Sequence, residues 1–343
     1  MDFMDLAMYI GLLVLGFVLL SKGADWFVDG AAGIATKLKI PQIVIGLTIV
    51  AMGTSAPEAA VSISSALKGS ADITIGNVVG SNILNVLIIL GISAVITALA
   101  VQKSTKWIDI PVTIGITVLL LLLGLDGSVS RIDGIILLLC FVGYLTYLFV
   151  MTKKNPPEEE EQTDLQKTTP KYFLLKAIVM SVVGLAAIIW GSDLAVDGAT
   201  GLAKLIGVND RIIGLTVIAL GTSLPELFTS VAAAMKKNCD IAIGNIIGSN
   251  IFNILMVVGL SSVIVDVPFV SAFRIDMLFA IGAVVLLFLS CLIFKKVGRI
   301  AGILMLATYG VYFVYLLFSN TGASVSPEQM EPSVVQSAMT LLL

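Results

Sequence analysis

Residues 53–58 read GTSAPE, and residues 221–226 read GTSLPE. Both lie inside apolar runs, IVIGLTIVAMGTSAPEAAVSISSAL and RIIGLTVIALGTSLPELFTSVAAAM. A helix facing hydrocarbon avoids such residues. Proline removes a backbone donor and clashes with the preceding turn. A carboxylate at membrane depth is costly and marks a functional site by default. Carbonyls freed between Ala51 and Ser55 cannot stay bare against lipid, but they can coordinate a cation. Thr54 and Ser55 add hydroxyls and Glu58 adds a carboxylate, and Thr222, Ser223 and Glu226 repeat the set. Every donor is an oxygen. That suits a hard cation such as Ca²⁺, which takes roughly six to eight oxygens at about 2.3–2.6 Å.

A second doubled stretch follows each of these. GNVVGSNILN (76–85) supplies Asn77, Ser81, Asn82 and Asn85, and GNIIGSNIFN (244–253) supplies Asn245, Ser249, Asn250 and Asn253. Ser81 and Asn85 are four apart and share one helix face. Gly76 with Gly80, and Gly244 with Gly248, are expected to let helices approach closely. Pairing the halves about a pseudo-two-fold axis would bring Glu58 and Glu226 to one midplane centre. Two carboxylates balance one Ca²⁺ or two Na⁺.

The elements that must carry these residues are membrane helices. The chain has 343 residues, 58% of them hydrophobic and only 13% charged, and the mean hydropathy is +1.05. A soluble domain carries about a quarter charged residues. The net charge of −3 gives no sign of nucleic acid as a partner. With no histidine, imidazole metal sites and histidine base catalysis are excluded. Cys140, Cys239 and Cys291 have neither metal-ligand spacing nor a disulfide framework. The first apolar run has no basic leader and reads as a span rather than a signal peptide. Ten segments approach the roughly 20 residues a spanning helix needs. They cover 5–33, 41–67, 73–98, 107–124, 131–151, 172–203, 209–235, 241–265, 272–294 and 299–318.

Adding 168 to a residue number superposes the two halves. Residues 43–93 and 211–261 are identical at 26 of 51 positions, and Asp25 and Asp29 fall on Asp193 and Asp197. Residues 1–151 form a first five-helix repeat. Residues 152–171 read as a cytoplasmic acidic linker, 172–318 as the second repeat and 319–343 as a polar tail. Five is odd, so the second repeat enters the membrane inverted. The expected fold is therefore an all-α membrane protein of ten helices in two inverted repeats. With both termini outside, Lys37, Lys39, Lys103, Lys106, Lys153, Lys154, Lys167, Lys171, Lys236, Lys237, Lys295, Lys296 and Arg299 fall inside. Only Lys68, Arg131, Lys204, Arg211 and Arg274 fall outside, which favours this orientation.

GTSxPE followed by GNxxGSNxxN, doubled in inverted halves, resembles the cation/calcium exchanger superfamily, and most nearly its prokaryotic sodium/calcium exchangers. The resemblance runs from about residue 5 to 318. It implies ten helices with the motif helices central, and an oblique first helix in each half that slides during alternating access. It implies antiport of Na⁺ against Ca²⁺ across a prokaryotic cytoplasmic membrane, commonly three Na⁺ for one Ca²⁺, by a chain that functions as a monomer in the lipid bilayer. No bound cofactor is implied, since Ca²⁺ and Na⁺ are the transported ions. Residue by residue, Glu58 and Glu226 would ligate Ca²⁺ with the Thr54 and Thr222 carbonyls, and the same four would serve a central Na⁺. Ala51, Ser81, Thr222 and Ser223 would form an outer Na⁺ site, and Ala219, Thr54, Ser55 and Ser249 an inner one. Asn85 and Asn253 would flank a mid site. Some relatives carry aspartate at the position of Asn253, so asparagine at both positions leaves only two motif carboxylates here.

Other residues read more plainly. Asp25, Asp29, Asp193 and Asp197, with Lys22 close to the first pair, suit structural or interfacial roles. Asp72 and Asp240 fit helix N-caps. Glu158 to Glu161 suit a solvated loop and lack calcium-loop spacing. Three classes of function compete: an antiporter, a cation channel and an intramembrane enzyme. A channel builds its filter by symmetric oligomerisation, whereas this chain makes its own two-fold centre. An aspartyl protease needs paired aspartates that no span centre provides. The alternative to Na⁺ coupling is Ca²⁺/H⁺ antiport, although proton-coupled relatives usually lack the doubled GSN.

Overall fold

The computed structural model describes residues 3–68, 71–154, 173–205, 219–294 and 296–319. The expected linker, the start of the seventh span and the tail lie largely outside the described residues. The helices are α1 (Phe3–Leu38), α2 (Gln42–Thr54), α3 (Ala56–Leu67), α4 (Ile73–Ile96), α5 (Thr105–Asp126) and α6 (Arg131–Lys154). The second half gives α7 (Phe173–Leu205), α8 (Leu224–Met235), α9 (Cys239–Ile264), α10 (Phe273–Phe294) and α11 (Arg299–Ser319). Among the described residues, eight helices are long and apolar enough to cross a membrane, and α2 with α3 makes a ninth, bent span. The remaining expected span, 209–235, is described only from Ala219 onward.

Burial sorts the helices. In α9 94% of the spanning window is buried and in α4 72%, against 17% in α1 and 22% in α7. The two GSN helices are therefore the centre, and α1 and α7 turn most of their apolar surface outward, as lipid allows. Trp190 and Val182 on α7 are exposed this way. Two short antiparallel clasps tie the halves together: β1 (Leu99–Ala100) pairs with β4 (Lys296–Val297), and β2 (Ser128–Val129) with β3 (Val267–Pro268). The 168-residue offset exchanges one clasp for the other.

α1 and α7 run antiparallel on a rail of glycines. Gly16, Gly23 and Gly30 are spaced by seven, and so are their counterparts Gly184, Gly191 and Gly198. A β-carbon on Gly16 would sit 2.7 Å from the Gly191 carbonyl oxygen, and one on Gly23 2.8 Å from that of Gly184. Backbone lies on backbone here, the close approach that small residues give membrane helices. Farther round, the Tyr144 hydroxyl donates to Asp109 and the Tyr312 hydroxyl to Asp276, each at 3.2 Å. These matching bonds fasten α5 to α6 and α10 to α11.

One local expectation needs correcting. Asp240 is not an N-cap: Asn238 caps α9 by accepting from the Ile241 amide, and Asp240 accepts from Gln102 at 2.7 Å. The helix of α4 likewise has Ala71 at its cap and starts at Asp72, one residue before its spanning stretch. Asp240 sits inside the first turn, where a negative charge still suits the helix dipole. The close approach expected of Gly244 and Gly248 is present, against Gly46 and against Leu47 and Ala51. At Gly76 and Gly80 nothing comes so close; by the offset their partner surface falls within 211–219, mostly outside the described residues.

Candidate functional site

The span breaks at Ser55, and α2 and α3 meet at a bend of 49°. Pro57 lies in the first turn of α3, and Pro225 in the first turn of α8. Proline is tolerated there because those amides have no intrahelical partner. Glu58 and Glu226 follow directly, so each carboxylate stands at a helix N-terminus, whose dipole favours an anion. The break is held from outside: the Asn77 amide donates to the Glu58 carbonyl at 3.2 Å and to Ser62 Oγ at 3.0 Å. Asn245 does the same for the Glu226 carbonyl and Ser230 Oγ, at 3.4 and 2.9 Å.

The carboxylates are bound across the halves. Ser223 Oγ donates to Glu58 Oε1 at 3.4 Å, and Ser55 Oγ donates to Glu226 Oε1 at 2.8 Å. Ser81 Oγ adds a bond to Glu58 Oε1 at 3.2 Å and lies 3.1 Å from Ser223 Oγ. Thr54 Oγ1 donates to Asn245 Oδ1 at 2.9 Å. Ser249 Oγ donates to the Ala51 carbonyl at 3.4 Å. Ala51 and Ser249, which the resemblance assigned to different Na⁺ sites, are joined by this bond where α2 crosses α9. Ala219 lies in the helical residues Ala219–Gly221, and half-buried Thr222 follows them.

Above this lies an amide clamp. Asn82 donates to the Asn250 carbonyl at 3.2 Å, and Asn250 to the Asn82 carbonyl at 3.3 Å. The Asn85 amide donates to Asn250 Oδ1 at 3.0 Å, and the Asn253 amide to Asn82 Oδ1 at 3.1 Å. Asn85 and Asn253 each open a π-helical turn, at Asn85–Ile89 and Asn253–Val258. Such turns recur at functional sites. They and the clamping role of Asn82 and Asn250 were missed from sequence. The asparagine signal was present in the doubled GSN; the π-turns left none.

One consequence decides the chemistry. Glu58 Oε2, Glu226 Oε2, Asn85 Oδ1 and Asn253 Oδ1 are buried and have no hydrogen-bond partner. All four residues are fully buried. The clamp commits both amide nitrogens and leaves the two amide oxygens free. An unpaired buried acceptor costs about 1–3 kcal/mol, more if charged. The backbone, by contrast, is less bare than the broken helix suggested. The Val50 carbonyl accepts from Thr54 Oγ1, and that of Ala51 from the Ser55 amide. Among the described residues no three Asp, Glu, Cys or His cluster together, so a cation here would rest on two carboxylates and neutral oxygens.

Comparison with known proteins agrees with this chemistry. The model of the family described as sodium/calcium exchanger protein matches residues 8–150 and again 176–318. The chain belongs to the sodium/calcium exchanger family. It is 40% identical over 316 residues to the putative antiporter CaxA of Alkalimonas amylolytica, covering 90% of this chain and 98% of that one. It is 32% identical over 347 residues to the sodium/calcium exchanger MaX1 of Methanosarcina acetivorans, covering 90% and 98%. A solved structure of the sodium-calcium exchanger NCX_Mj superposes with a TM-score of 0.80 at 34% identity, over 91% of this chain and 99% of that one. An exchanger is a membrane transporter and not an enzyme.

Proposed function

We propose that this chain exchanges Na⁺ for Ca²⁺ across a prokaryotic cytoplasmic membrane by alternating access. The observation that carries the reading is the set of four buried, unpartnered oxygens on Glu58, Glu226, Asn85 and Asn253. Two carboxylates neutralise one Ca²⁺, and the amide oxygens complete its shell without adding charge. Ser81 with Ser223, and Ser249 with Thr54 and Ser55, supply hydroxyls for Na⁺ on the two sides of the centre, with Ala51, Ala219, Thr54 and Thr222 adding carbonyls. Two inverted repeats, 1–151 and 172–318, joined by a cytoplasmic linker at 152–171 and followed by the tail 319–343, would give the two access routes. Both termini lie outside on this reading, which the bias of lysine and arginine supports, and one chain holds a complete site as a monomer.

The test is ⁴⁵Ca²⁺ uptake into proteoliposomes loaded with Na⁺, with K⁺, or with acid inside. Uptake driven by internal Na⁺ alone is the expected result. Uptake that follows the proton gradient and ignores Na⁺ would replace this reading with Ca²⁺/H⁺ antiport.

A further inference from the structure

The pseudo-symmetry also marks where the molecule departs from it. Lys236, the C-cap of α8, donates to Asp29 Oδ1 at 2.7 Å and to the Asp25 carbonyl at 2.9 Å, and lies 3.3 Å from Asp25 Oδ1. The offset sends Lys236 to Lys68, Asp25 to Asp193 and Asp29 to Asp197. Lys68 is likewise the C-cap of α3. Each set holds one lysine and two acids a helical turn apart. Yet among the described residues Lys68 is exposed and has no ion pair, and Asp193 Oδ2 is buried without a partner.

The helices carry the same asymmetry. α1 packs along α8, with Phe17 against Phe228 at 5.9 Å between ring centroids. The counterpart packing, α7 along α3, is all but missing. So the α1–α7 pair leans onto one half at the Lys236 end and stands away from the other half at the Lys68 end. Gly198 abuts Leu13, so Asp197 and Asp29 lie some 15 residues apart along the antiparallel pair, or about 23 Å. They belong to opposite ends of the bundle. An inverted repeat whose halves hold different conformations has a partner state in which the halves exchange them.

We propose that Lys68 closes on Asp193 and Asp197 in the oppositely facing state, as Lys236 leaves Asp25 and Asp29. The six residues are positioning residues for transport: they touch no ion, and they set the balance between the two states. The inference rests on the alternating-access reading above. Two matched latches leave neither state strongly favoured, because an ion pair that water reaches, as at Lys236, shifts an equilibrium by only about two- to five-fold.

The test uses the full chain with Cys140, Cys239 and Cys291 replaced by serine. Lys236→Cys with Asp29→Cys, and Lys68→Cys with Asp197→Cys, are bridged in liposomes by a short, reducible bis-methanethiosulfonate linker. Each pair is expected to bridge, each bridge to arrest Ca²⁺ flux, and reductant to restore it. In the chain carrying all four substitutions, one bridge is expected to exclude the other on the same molecule. A Lys68–Asp197 pair that never bridges, or two bridges on one molecule, would overturn the proposal. Exclusion is read by mobility on a gel, whichever ion is carried. A chain that alternates its bridges but moves no Ca²⁺ therefore refutes the exchange reading and leaves the latches standing. As a milder check, Lys68→Ala should shift the equilibrium about two- to five-fold toward the state that the Lys236→Cys/Asp29→Cys pair bridges, read as faster bridging; unchanged bridging would count against the proposal.

Discussion

Ser55 and Ser223 show how much rests on single hydroxyls. Each reaches across to the carboxylate of the other half. A hydrogen bond to a charged group contributes about 1.5–3 kcal/mol. At 2.8 Å Ser55 Oγ is the strongest side-chain donor to Glu226 among the described residues, whereas Glu58 keeps Ser81 if Ser223 is lost. Ser55→Ala is therefore expected to weaken Ca²⁺ activation of transport about ten-fold or more, and Ser223→Ala by less. Half-saturating Ca²⁺ measured for both variants checks this, and the reverse order would contradict the geometry. The pairing itself could not be read from the chain. Doubled GTSxPE announced two carboxylates at membrane depth, but spacing within one half does not say which half's serine reaches which acid. Nor did it say that Thr54 and the Ser55 amide would fill the Val50 and Ala51 carbonyls of the opened backbone.

At the scale of elements, the glycine rail between α1 and α7 bears on motion. A side chain at Gly23 would meet the Gly184 carbonyl oxygen at 2.8 Å and the Ile188 amide at 2.9 Å, and backbone cannot give way as a flexible side chain can. Overpacking of this kind costs about 1–3 kcal/mol. Gly23→Leu should force α1 and α7 apart and slow exchange at least ten-fold while the central oxygens stay in place. Gly11→Leu is the control, since a β-carbon there meets nothing within 4 Å, and it should transport normally. Equal rates in the two variants would show that the rail does not govern the motion. The long first helices, and their correspondence by 168 residues, were legible from hydropathy and repeat. The rail was legible too, as glycines spaced by seven in both copies, but it was passed over because the helix-packing signal sought was a spacing of four. The π-turns at Asn85 and Asn253 were not legible, since a widened turn depends on what packs around it and not on its own residues.

For the whole molecule, one offset relates the two clasps, the two serine–glutamate bonds and the reciprocal amide pair, while the two tyrosine–aspartate bonds match with the aspartate shifted by one residue. The segment joining the repeats is not part of that pattern. Deleting 157–168, which holds the four-glutamate run, is expected to leave Na⁺-driven Ca²⁺ uptake within about two-fold of the parent, since polar, proline-punctuated sequence of this kind builds no core. Loss of uptake with normal membrane insertion would make the segment a regulator.

The central claim is that one cation centre is shared by Glu58, Glu226, Asn85 and Asn253, and that Ca²⁺ and Na⁺ compete for it. Ca²⁺ binding to the purified chain, followed by isothermal titration calorimetry at rising Na⁺, tests this most directly. The parent should bind Ca²⁺ with an apparent affinity that falls steadily as Na⁺ rises. Glu58→Gln and Glu226→Gln should each abolish the binding heat, because one carboxylate leaves the divalent charge uncompensated where Coulomb terms are large. Ca²⁺ binding that survives either substitution, or that Na⁺ leaves untouched, would contradict the account.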